Sequence, residues 1–215
     1  METRLLKGKL VRDAVLAELK EKVAAASRPP GLAVVLVGDD AASAVYVKHK
    51  EKGCDEVGFH HVTHRLPAST GEDELLALIG DLNADAAIDG ILVQLPLPRG
   101  LDEEKILLAV DPAKDVDGFH PENLGRLMAG NPRFVPCTPK GILRLLTHYD
   151  IPVSGRNVAI VGRSVIVGRP MAMLLALKTD PGNATVTLCH SGTRDLPAVT
   201  SAADIVIAAI GVPRF

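Results

Sequence analysis

A chain of 215 residues, 47% hydrophobic and 23% charged, has room for one large globular domain or two small ones. Its net charge of −2, with no long run of one sign, gives no electrostatic footing for nucleic acid or an anionic membrane surface, and neither is expected as a partner. Three cysteines without a CxxC pair argue against a zinc site or a disulfide framework and fit a reducing cytoplasm; charges interrupt every apolar stretch of residues 1–16, against a signal peptide, and no apolar run approaches the ~20 residues of a spanning helix.

Leu10, Val11, Val15, Leu16, Leu19 and Val23 recur at helical spacing, which predicts a helix over 8–25, stopped by Arg28-Pro29-Pro30-Gly31. Residues 32–37 form a continuous apolar run ending in Gly38-Asp39-Asp40, a buried strand with its exit turn. A helix over 41–57 follows, closed by Gly58 as a C-terminal cap. The rhythm repeats with a strand over 60–66, a helix over 72–82, a strand over 90–95 broken by Pro96-Leu97-Pro98, and a short helix over 103–109. Between 110 and 136 the pattern dissolves into a loop rich in Asp, Pro, Gly and Asn, of a length that is usually functional. A helix over 138–149 is expected to link two lobes. The second lobe has strands over 158–161, 184–189 and 205–210 and a helix over 168–177.

Strands alternating with helices imply parallel sheets joined by crossovers. The predicted fold class is α/β and two-lobed: a parallel-sheet domain over 1–137, the linking helix over 138–149, and a nucleotide-binding domain over 150–215. In such sheets ligands gather at the carboxyl ends of the strands.

One such end carries Gly162-Arg163-Ser164, followed by Gly168 at the start of a helix. Glycine allows close backbone approach to a pyrophosphate, and a helix start supplies unpaired N–H groups. The spacing is not GxGxxG, and strand–helix turns with glycine are common in α/β proteins generally. The next strand ends in Cys189-His190-Ser191-Gly192-Thr193, where an NAD site would want an acidic residue for the ribose 2′-hydroxyl. His190 and Ser191, with Arg163 nearby, suit a 2′-phosphate, which puts NADP ahead of NAD. The plainer reading is that His190 and Ser191 cap the helix beginning near Asp195.

In the first lobe, Ser43, Tyr46 and Lys50 share one helix face. Taken alone, such a set is more commonly a solvated lysine and a tyrosine covering the edge of the core. Gln94 sits at the end of an apolar strand and must find partners if buried, either a neighbouring loop or Lys50. Asp115 and Asp117 lie in a Gly- and Pro-bearing loop without the ligand spacing of an EF-hand, so a metal is the weakest option for them.

Six segments in order along nearly the whole chain resemble the bifunctional methylenetetrahydrofolate dehydrogenase/methenyltetrahydrofolate cyclohydrolase family. They are Tyr46 to Lys50 with Glu56 to Phe59, Gln94 to Pro98, Asp115 to Pro121, Pro136 to Gly141, Gly162 to Pro170, and the Cys189 to Ser191 strand end. The resemblance implies an enzyme of one-carbon metabolism with a Rossmann-like NADP-binding domain. It implies Lys50 as the central catalytic residue, Gln94 positioning and tuning it, Tyr46 along the folate and Asp117 on the pterin end. Gly162, Arg163, Ser164 and Ser191 fall on its NADP site, a tetrahydrofolate derivative is the substrate, and family members are typically homodimers.

By the same resemblance the family continues past Phe215, so the second domain is expected to be incomplete at its C-terminal end, with 205–210 at the margin of its sheet. The alternatives are a monofunctional or NAD-linked dehydrogenase, or an inactive fragment that only binds nucleotide or folate. Short-chain dehydrogenases also use Ser and Tyr-x-x-x-Lys, but there the dinucleotide turn precedes the tyrosine, and here Tyr46 comes long before Gly162.

Overall fold

The structure, a computed structural model, describes residues 3–212. Two compact units divide between Val116 and Asp117, with the described residues before Lys7 grouped with the second.

In the first unit, β1 (Gly31–Val37) is the middle strand of a three-stranded parallel sheet of order β2-β1-β3, between β2 (His60–Leu66) and β3 (Gly90–Val93). Its unbroken apolar run follows from burial on both faces, because successive side chains point to opposite sides. Ala33, Val35 and Val37 join Ile91 and Val93 against Leu75 and Ile79 of α3 (Glu72–Ala84) and Ile106 of α4 (Glu103–Ala109). Val34, Leu36 and Leu92 face the other way, onto Val47 of α2 (Ala41–Val57), and α1 (Gly8–Ala24) packs on α2. Each fully buried aliphatic side chain here stabilises the unit by roughly 1.5–3 kcal/mol.

Helix α2 has the bounds its sequence predicts. The Asp40 carboxylate accepts the Ser43 N–H at 2.7 Å, capping the first turn. Gly58 closes the helix at φ 83°, in the left-handed region that favours glycine.

The second unit repeats the design. Its parallel sheet has the order β5-β4-β6, with β4 (Asn157–Val161), β5 (Thr185–Cys189) and β6 (Ile205–Ala208). One face buries Val158, Ile160 and Ile207 against α6 (Cys137–His148), α7 (Gly168–Ala176) and Leu127 of α5 (Pro121–Met128). The short helix α8 (Leu196–Ser201) follows β5, and its Val199 lines a cleft together with Ala159 of β4 and Thr187 of β5.

Three expectations are corrected. The stretch read as a loop over 110–136 contains α5. There the His120 ring accepts the Glu122 N–H at 3.1 Å, Pro121 occupies the first turn, and Leu127 is fully buried. Strand β3 ends at Val93 rather than at residue 95, although Gln94 N still donates to Val35 O at 2.8 Å. Helix α6 places Leu143 and Leu146 in the second unit's core, where the sequence reading has a separate linker and a division at 137.

In both sheets the first strand is central and the third lies beyond it, so connections leave the middle strand in opposite directions. A crevice opens at the carboxyl ends of the first and third strands of such a sheet, and ligands favour it. Among the described residues no helix is long and apolar enough to cross a membrane.

Candidate active site

The first crevice lies between the ends of β1 and β3. Gln94 leaves β3 there, and the middle of α2 brings Lys50 to it. Lys50 Nζ donates to Gln94 Oε1 at 2.8 Å, and both residues are half-buried. The other end of the amide is fixed as well, because Gln94 Nε2 donates to the Leu95 carbonyl at 2.8 Å. That carbonyl accepts only from a donor, so the amide nitrogen must face it and the amide oxygen must face the lysine. The buried Ser43 hydroxyl donates to the same carbonyl at 3.5 Å. Tyr46, one turn before Lys50 on α2, is 63% exposed and so does not cover the core.

Asp40 supports this arrangement from the helix start. The Ser43 backbone N–H, followed by its hydroxyl, holds the Asp40 carboxyl below the usual carboxylate range. Asp117 is half-buried and opens the second unit. The segment before it is anchored within the first unit. Lys114 Nζ donates to the Leu82 and Asp85 carbonyls at 3.0 and 2.8 Å, at the end of α3. Ile91 N donates to Lys114 O at 2.7 Å, and Ile91 and Asp115 form a parallel bridge beside β3. Among the described residues, no three His, Cys, Asp or Glu side chains gather to hold a metal.

The second unit's crevice is built on glycine. A Cβ at Gly168 would stand 2.0 Å from the Gly162 carbonyl oxygen and 2.9 Å from Arg163 Cα. Helix α7 therefore starts against the turn as closely as backbone allows. Gly162 itself has φ 120°, and a Cβ there would lie 2.4 Å from Ala209 O. The Ser164 hydroxyl accepts from Val167 N at 3.1 Å and Gly168 N at 3.4 Å, which folds the turn back onto the helix start. Arg163 and Ser164 are exposed. Gly162 N donates to Cys189 O at 2.9 Å, so the turn lies beside the end of β5 and the His190–Ser191 pair. These two residues do not cap α8: the Asp195 carboxylate does, accepting Ala198 N at 3.2 Å.

The pattern of the tetrahydrofolate dehydrogenase/cyclohydrolase catalytic domain matches residues 6–117, and that of the corresponding NAD(P)-binding domain matches residues 136–215. The chain belongs to the tetrahydrofolate dehydrogenase/cyclohydrolase family. It is 54% identical over 214 residues to the bifunctional protein FolD of Desulfovibrio desulfuricans, covering 98% of this chain and 75% of that one. The FolD of Salinibacter ruber is likewise 54% identical over 214 residues, 98% of this chain and 71% of the relative. Among solved structures, the Campylobacter jejuni bifunctional FolD methylenetetrahydrofolate dehydrogenase/cyclohydrolase superposes with a TM-score of 0.91 at 45% identity, covering 97% of this chain and 74% of that one. The Trypanosoma brucei FolD, solved with NADP cofactor and an inhibitor, gives 0.91 at 36% identity over 99% of this chain and 73% of its own.

In this tetrahydrofolate dehydrogenase/cyclohydrolase, the structure joins Lys50 to Gln94 directly and gathers Gly162, Arg163, Ser164, Gly168, His190 and Ser191 around one pair of strand ends. Sequence reasoning missed the Leu95 carbonyl, which orients the Gln94 amide, and Lys114, which anchors the segment before Asp117. A backbone carbonyl leaves no trace in a sequence. Lys114 did leave one, as a lone cation beside two aspartates.

Proposed function

We propose that this chain oxidises 5,10-methylenetetrahydrofolate to 5,10-methenyltetrahydrofolate with NADP and then hydrolyses that product to 10-formyltetrahydrofolate. The observation that carries the proposal is the 2.8 Å bond between Lys50 and Gln94 at the first crevice, in a chain more than half identical to bifunctional relatives.

The residues of the second unit fit NADP. The turn at Gly162 brings backbone and an exposed guanidinium to a strand end, and the neighbouring strand end offers the Ser191 hydroxyl. Residues 189–193 contain no carboxylate that would hold an NAD ribose. Arg163, Ser164 and Ser191 would hold the phosphates and the 2′-phosphate, with Gly162, Gly168 and His190 shaping the backbone around them. NADP held there would supply the acceptor for the hydride that leaves the methylene carbon.

Hydrolysis needs a proton removed from water as it adds to the methenyl carbon, and a proton delivered to the nitrogen that leaves that carbon. Lys50 is assigned both transfers, a role that contributes about 10²–10⁴-fold when the group is well placed. Gln94 suits this task because it is a neutral acceptor: it aims the amine without adding the Coulombic hold that a carboxylate would exert on the ammonium form. Tyr46 packs along the folate, and Asp117 binds the pterin end.

A cytoplasmic homodimer belongs to the same proposal. The three cysteines form no disulfide. The second unit carries an apolar groove of about 410 Å³ at its β5 edge, lined by Met128, Ala172, Met173, Ala176, Val186 and Leu188, a surface suited to a second copy.

The test is an absorbance assay on the 215-residue chain with methylenetetrahydrofolate and NADP, following NADPH and methenyl product together. NADPH without methenyl accumulation is the expected result. Absence of both products overturns the proposal.

A further inference from the structure

We propose that Thr193 is a positioning residue that sets the preference for NADP over NAD, an inference that rests on the NADP reading above. Nothing in the comparisons or in the motif resemblance gives Thr193 a role; its hydrogen bonds do.

Strand β5 ends at Cys189, and the next four residues form a turn locked by two side chains. His190 N donates to Thr193 Oγ1 at 2.8 Å, and Thr193 N donates back to His190 O at 2.8 Å. Gly192 N donates to His190 Nδ1 at 3.0 Å. The turn thus uses the Thr193 hydroxyl and the His190 ring to satisfy backbone groups that have left the strand ladder. Ser191 sits within this turn and is exposed.

The turn is also fixed relative to Arg163. Gly162 N donates to Cys189 O at 2.9 Å, which ties the residue before Arg163 to the residue before His190. In dinucleotide-binding sheets the ribose of the adenosine lies at this second strand end, where discrimination between a 2′-hydroxyl and a 2′-phosphate is made. A hydroxyl and a guanidinium discriminate a phosphate only if both are held at a set separation. Arg163 is on a long, exposed side chain, so the fixed member of the pair must be Ser191. Thr193 closes the turn that holds it.

A Thr193 that merely stabilised the domain would, when altered, weaken NADP and NAD together. A Thr193 that positions Ser191 would, when altered, weaken NADP alone, because NAD carries no 2′-phosphate for Ser191 to meet.

The experiment measures Kd by isothermal titration calorimetry for NADP and NAD, on the full chain and on its Thr193→Val and Thr193→Ser variants. Valine keeps the shape and removes the hydroxyl; serine keeps the hydroxyl. Loss of one neutral hydrogen bond predicts that Thr193→Val weakens NADP about fivefold to tenfold. Its NAD affinity should stay within about twofold, and Thr193→Ser should bind both nucleotides like the parent chain. An NADP affinity in Thr193→Val within about twofold of the parent overturns the inference, as does an equal loss for both nucleotides. A parent chain that binds NAD as tightly as NADP overturns the cofactor reading itself, so the two failures are distinguishable.

Discussion

Gly168→Ala adds a single methyl group at the tightest point of the second unit. The new Cβ would stand 2.0 Å from the Gly162 carbonyl oxygen and 2.6 Å from its carbon, against an ordinary contact of 3.4 Å or more. Both opposing atoms are backbone, so no side chain can swing aside, and the start of α7 must part from the turn by about 1.4 Å. Overpacking of this kind costs roughly 1–3 kcal/mol. For a chain of this size that lowers Tm by about 2–4 °C per kcal/mol. The larger effect falls on function, because the displaced segment carries Arg163 and Ser164. A misplacement of about 1 Å costs up to ~10²-fold where positioning matters, so NADP binding should weaken by one to two orders of magnitude. The first crevice is built from other elements, and its Lys50–Gln94 bond is untouched. The assay therefore compares two rates in one variant: dehydrogenase activity at fixed NADP, and cyclohydrolase activity on added methenyltetrahydrofolate. Dehydrogenase loss with hydrolysis preserved is the expected split. A variant that binds NADP like the parent would refute the close-packing argument, whatever its Tm.

Two further predictions follow from groups whose partners are defined. Gln94→Glu replaces a neutral acceptor, 2.8 Å from Lys50, with a carboxylate that favours the ammonium form, so the ascending limb of the cyclohydrolase pH–rate profile should move to higher pH; an unmoved profile would mean that Lys50 does not carry the titration. The Arg28 guanidinium, then the Gly31 N–H, hold the Asp89 carboxyl below its ordinary value. Its contribution to stability is therefore present above the unfolded carboxylate pKa of about 4 and lost as pH falls below it. Thermal unfolding of the parent and of Asp89→Asn from pH 7 to pH 3 should show a Tm gap that closes below about pH 4, and a constant gap would contradict the linkage.

Much of the fold was legible because its signals are local. The run 32–37 is apolar at every position since β1 is buried on both faces, and Gly58 marks the end of α2 because only a left-handed residue closes it there. Helix α5 was hidden by composition: Asp, Pro, Gly and Asn around it read as loop, while its true markers were His120-Pro121 at the start and Leu124 and Leu127 three apart. The Lys50–Gln94 pair was legible only in part. Lys50 and Gln94 are 44 residues apart, and the strand-end argument left two partners open for the amide, whereas the structure makes both bonds at once, to Lys50 and to the Leu95 carbonyl. At β5 the sequence left His190 and Ser191 as helix caps or ligand groups, and the αL residue Asp195 decided against the first by capping α8 itself. What sequence could not convey, in each case, was where a backbone carbonyl or N–H points.

The measurement that tests the central claim most directly is the same two-product assay applied to Lys50→Met. Methionine keeps a linear side chain of similar length and removes the amine that donates to Gln94. If Lys50 performs the proton transfers of hydrolysis, this variant still forms NADPH, methenyltetrahydrofolate accumulates, and added methenyltetrahydrofolate is no longer hydrolysed above the solution rate. Hydrolysis at the parent rate in Lys50→Met would contradict the account.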